Sequence, residues 1–105
     1  MLVKNIEISE DQITDFCQRW NIIELALFGS VLRDDFRPDS DIDLLVNLAP
    51  DSHWTLSKMI RMQEELEALF GRKVDLVSKQ TIETSRNYLR RKAILSSAKV
   101  IYASS

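Results

Sequence analysis

The chain has 105 residues, enough for one domain built around one hydrophobic core. Its 45% hydrophobic and 29% charged residues suit an ordinary globular protein, and a net charge of −2 argues against a long nucleic acid as main partner, since an acidic chain gains little from counterion release. A single cysteine, Cys17, excludes an internal disulfide and fits a reducing cytoplasm, and the alternating stretch Met1 to Glu10 is neither signal peptide nor membrane span.

Ser9 followed by Gln12 has the form of a capping box. Behind it Ile13, Phe16, Cys17 and Trp20 recur at helical spacing and predict a helix near 10–20. Ile22 to Phe28 is nearly all apolar, the pattern of a strand covered on both faces. Gly29 breaks it, and a short helix is expected from Ser30. Pro38, Asp39 and Ser40 read as a turn, and Ile42 to Leu48 as the second strand. Leu56, Met59, Ile60, Leu66, Leu69 and Phe70 mark a helix near 54–70, stopped by Gly71. Lys73 to Val77 reads as a third strand, 80–96 as a helix and Lys99 to Tyr102 as a last short strand. There is no repeat and, with two Gly and two Pro, no obvious linker, so 1–105 is expected to be one domain. Alternating strands and helices predict an α/β (α+β) fold, a small mixed β-sheet with helices packed on it.

The chemistry gathers at two places. Side chains two apart on a strand share a face, so Asp41 and Asp43 point together while Ile42 and Leu44 turn inward. Two carboxylates this close repel unless a cation lies between them, and Mg²⁺ favours one or two carboxylates plus substrate phosphates. Asp clusters also cap helices and fill turns. Asp75 interrupts the apolar run Val74 to Val77. It is either an exposed position on an edge strand or a neighbour of Asp41 and Asp43, there a third ligand or the acceptor of a nucleophile's proton. Gly29 allows close backbone approach to a phosphate, and Ser30 stands where a helix begins, as a phosphate ligand or as a plain N-cap. Arg33 can neutralise phosphate or pair with Asp34 or Asp35.

Gly29-Ser30, ten residues, then Asp41-Ile42-Asp43 resembles the Gly-Ser-x10-Asp-x-Asp signature of the nucleotidyltransferase superfamily that includes DNA polymerase β. The short length resembles the minimal nucleotidyltransferase (MNT) domains, the antitoxin half of HEPN/MNT toxin–antitoxin pairs. That resemblance implies the nucleotidyltransferase fold. It also implies metal ligation by Asp41, Asp43 and a later-strand carboxylate, Asp75, with Mg²⁺ as a pair of ions and ATP as substrate. It implies transfer of AMP to a tyrosine of a HEPN partner, in a cytoplasmic hetero-oligomer with no long nucleic acid and no membrane. Where many family members carry a second Gly, this chain has Asp34. Two other functions stay open: an antitoxin that acts by contact alone, and a transferase acting on a small molecule. Three intact carboxylates favour activity over pure binding, and no extra substrate domain is visible.

The remaining candidates read more plainly. His53, the only histidine, lacks a companion ligand. Cys17, Trp20, Met59 and Met62 read as core, and Trp54 as packing with an option to stack on a base or touch a partner. Arg86, Arg90, Arg91 and Lys92 form either a solvated helix face or a docking surface for an acidic partner.

Overall fold

The computed structural model describes residues 2–3, 6–32, 40–52 and 55–104. The chain opens on a small antiparallel pair, β1 (Leu2–Val3) and β2 (Ile6–Glu7), which the alternation of the first ten residues did not single out. Helix α1 (Glu10–Arg19) follows, with the Ser9 hydroxyl accepting from Gln12 N at 3.4 Å. Strand β3 (Ile22–Phe28) leads into a 3₁₀ turn, Gly29–Leu32. Then come β4 (Ile42–Leu48), α2 (Leu56–Phe70) and β5 (Val74–Ser78). Two short helices, α3 (Lys79–Glu83) and α4 (Tyr88–Ser97), precede β6 (Lys99–Ala103).

The single helix expected over 80–96 is two. Its polar stretch carries an end and a new start. The Thr84 hydroxyl donates back to Gln80 O at 2.9 Å, while the Asn87 side chain accepts from Arg90 N at 3.1 Å as the cap of α4. Side chains that bond their own backbone in this way compete with helix continuation. The turn after β3 also differs from expectation. It is a 3₁₀ turn that already begins at Gly29. Helix α2 starts from a Thr55 cap and stops at Gly71, whose φ of 71° is the left-handed conformation that favours glycine.

Four strands form one mixed sheet in the order β5-β4-β3-β6. β4 runs parallel to β5, and β3 antiparallel to both β4 and β6. The alternating faces of β3 and β4 separate two cores. Leu25, Leu27, Ile42, Leu44 and Val46 pack with Ile13, Phe16 and Cys17 of α1 and Met62 and Leu66 of α2. Ala26, Phe28 and Leu45 face the other way, against Ile82 of α3, with Ile94 and Ala98 beside them. Helices thus cover both faces, which is why these strands read as continuous apolar runs.

Cys17 is fully buried, and Trp20 and Met59 pack at the margin of the larger core. Leu56 and Ile60, which helped mark α2, are 67% and 48% exposed. The helix leans on the sheet through the stripe Met59, Met62, Leu66 and Leu69, and these two fall beside it. Arg19 ties α1 to α2: its Nη1 donates to Glu65 Oε1 at 3.1 Å, its Nη2 to Glu65 Oε2, and Trp20 Nε1 donates to Glu65 Oε1 at 3.2 Å. No helix among the described residues is long and apolar enough to cross a membrane.

Candidate active site

Antiparallel pairing brings the end of β3 beside the start of β4, with Phe28 opposite Asp43. Parallel pairing then sets Asp43 opposite Asp75. Register partners point to the same face of a sheet, and neighbouring strands lie about 4.8 Å apart. The two carboxylates therefore stand side by side, on the face that also carries Phe28 and Leu45. Their apolar neighbours Ile42, Leu44, Val74 and Leu76 are buried on the opposite face. Asp41 precedes β4 and is exposed, Asp43 is half-buried, and Asp75 is exposed on edge strand β5. Both readings of Asp75 from sequence, edge exposure and proximity to Asp43, describe the same position.

Gly29 closes this corner. Its φ is +74°, and a Cβ there would overlap Asp43 Oδ2, with Asp43 Cγ only 3.2 Å away. The backbone of the Gly-Ser turn thus presses directly on the second carboxylate of the Asp-x-Asp pair. Any side chain at position 29 displaces that carboxylate. Ser30 is the second residue of the same turn, but its side chain falls outside the described structure. Arg33, Asp34 and Asp35 lie outside the described residues, as do Pro38 and Asp39 of the expected turn, and His53 and Trp54.

Among the described residues no three His, Cys, Asp or Glu side chains converge into a ready-made metal centre. What the corner offers is the Asp43–Asp75 pair with Asp41 two residues away. That donor set fits Mg²⁺, which takes few protein carboxylates and completes its shell with water and phosphate oxygens. It does not resemble the closed cage of a structural metal site.

A cleft of about 410 Å³ opens beside Gly29, lined by Phe28, Leu32, Ala93, Ile94 and Ser97. Sequence reasoning assigned these residues no part in the site. They are small or apolar, and they come from β3, the 3₁₀ turn and α4, so no spacing along the chain joins them. Of the basic stretch, Arg86 lies before α4 and Arg90, Arg91 and Lys92 on it; all but Arg91 are exposed. Arg91 Nη1 donates to Ser85 O at 3.0 Å, and its guanidinium lies 5.4 Å from the Tyr88 ring centroid.

At this corner a glycine that admits no Cβ is set against paired carboxylates on adjacent strands. The profile of the nucleotidyltransferase domain family matches residues 9–101, and the chain belongs to that family. Protein adenylyltransferase MntA of Thermococcus cleftensis is 39% identical over 67 residues, covering 64% of this chain and 66% of that protein. The match thus spans just under two thirds of that relative's length. A solved structure described as a minimal nucleotidyltransferase is 34% identical with a TM-score of 0.65, covering 85% of each chain. A structure of a tri-AMPylated Shewanella oneidensis HEPN toxin in complex with an MNT antitoxin matches at a TM-score of 0.60 and 18% identity. It covers 90% of this chain and 70% of that one, and it shows the shared fold.

Proposed function

We propose that this chain is a protein adenylyltransferase of the minimal nucleotidyltransferase type, an antitoxin that moves AMP from ATP to a tyrosine of a HEPN-domain toxin in the cytoplasm. The observation that carries the reading is the parallel register of Asp43 and Asp75 beside the glycine corner. The 39% identity with a protein adenylyltransferase supports the choice of reaction.

In this reading Asp41, Asp43 and Asp75 would hold Mg²⁺, as a pair of ions, and that metal would supply charge neutralisation for the triphosphate and its leaving group. Gly29 lets the phosphates approach the backbone, and Ser30 and Arg33 contact them. The tyrosine oxygen forms a bond to the α-phosphorus as the bond to pyrophosphate breaks. Asp75, the most open carboxylate of the facing pair, takes the phenolic proton. Pyrophosphate departs and the partner keeps the AMP.

The test is intact-mass spectrometry of a candidate HEPN-domain protein from the same organism, after incubation with the chain, ATP and Mg²⁺. A mass gain of whole AMP units is expected, lost in EDTA and in Asp43→Asn. An unmodified partner sinks the transferase reading and leaves binding alone as the mode of action.

A further inference from the structure

The chain's charge is sharply divided. The first 83 residues carry nine Lys and Arg against sixteen Asp and Glu, whereas residues 84–105 carry five basic side chains and no acidic one. Helix α4 sits inside that basic segment and buries none of its ten residues. It rests on the sheet through Ile94, with Ala98 just beyond its end. Its other side exposes large apolar groups: Tyr88 is 57% exposed and Leu89 76%. Lys92 lies four residues from Tyr88 and three from Leu89, so the three share one face.

We infer that this face of α4 docks the acceptor protein, at a surface of apolar side chains ringed by Asp and Glu. The inference rests on the proposed transfer to a protein. An apolar centre with charge around it is the anatomy of a protein interface, and such patches are uncommon on a surface that meets only water. Pairing between two copies of this chain through α4 is disfavoured, because each copy would bring the same basic segment against the other. RNA satisfies the charge and can stack on Tyr88, but leaves Leu89, the most exposed of these groups, without an apolar partner. Position gives the surface its use. The opposite side of α4, through Ala93, Ile94 and Ser97, walls the cleft beside Gly29. A protein seated on α4 therefore lies about one helix diameter, roughly 10 Å, from that cleft.

The experiment titrates that candidate HEPN-domain protein with the full chain at low and moderate salt, and reads AMP transfer and ATP binding separately. Leu89→Asp combined with Lys92→Glu should weaken the complex about thirtyfold or more, the size of a central interface anchor. Salt should weaken the wild-type complex, and ATP binding should stay unchanged. Lys92→Glu and Leu89→Ser alone, with folding checked by circular dichroism, repeat the measurement should the double variant unfold, and each should weaken the complex in part. Wild-type affinity in these variants overturns the inference. So does failure of the wild-type chain to form the complex, an α4-dependent complex with polyuridylate RNA in its place, or a change in the chain's own sedimentation on substitution. A complex that depends on α4 but leaves its partner unmodified supports the docking surface and overturns only the transferase reading.

Discussion

Asp43 and Asp75 are register partners on the two parallel strands of the sheet, thirty-two positions apart in sequence and adjacent in space. Like charges directly opposite one another oppose strand pairing. In the proposed function the same pairing serves to hold a cation.

Removing one of the two charges should therefore leave the fold intact or slightly firmer. Asp43→Asn and Asp75→Asn are each expected to change stability by less than about 1 kcal/mol, measured by urea unfolding without added metal. AMP transfer should fall by about a hundredfold or more, since a ligand or a proton acceptor is lost. A loss of several kcal/mol with transfer intact would make the carboxylates structural.

The two glycines provide a controlled comparison. Gly29 and Gly71 have nearly equal φ, 74° and 71°, but an added Cβ meets Asp43 at the first and nothing within 4 Å at the second. Gly71→Ala should cost about 1 kcal/mol, the backbone strain alone. Gly29→Ala should cost more and should also abolish ATP use, because the Asp43 carboxylate must move. Thermal melts and nucleotide titration check both. Equal losses in the two variants, with ATP use retained in Gly29→Ala, would deny the close approach any functional weight.

The Arg19–Glu65 link between α1 and α2 predicts an acid-sensitive contribution to stability. The Arg19 guanidinium holds the Glu65 carboxyl below its usual value, helped by the Trp20 N–H. A carboxylate depressed in the folded state stabilises at pH above its unfolded value, and that contribution is lost as pH falls through the folded one. Glu65→Gln should thus lower stability at pH 7, by about 1 kcal/mol at most for so open a pair. The gap from wild type should narrow as pH falls below the ordinary carboxylate range. A gap that does not narrow with acid would assign the loss to packing.

Burial pushes the Cys17 thiol up to about 12. At pH 8 almost none is thiolate, and the side chain has no exposed surface. Native protein should react with a thiol reagent only through unfolding, and one equivalent should react at once in denaturant. Prompt native labelling would contradict this packing of α1.

The strand and helix order was legible because the periodicity of each segment is local: Ile22–Phe28 and Ile42–Leu48 lie where their apolar runs end. The Gly-Ser and Asp-x-Asp motifs were legible because glycine and repeating carboxylates are conspicuous against an apolar background. The break between α3 and α4 was not, since the polar residues 84–87 suit a helix surface as well as a cap, and only hydrogen-bond partners decide between them. Nor could spacing show that the two readings of Asp75 describe one position, on an edge strand and beside Asp43. Which strand pairs with β4, in which direction and register, depends on how the crossover through α2 packs on the sheet. Long-range packing alone set Asp75 beside Asp43, pressed Gly29 against that carboxylate, and left the apolar side of α4 facing water.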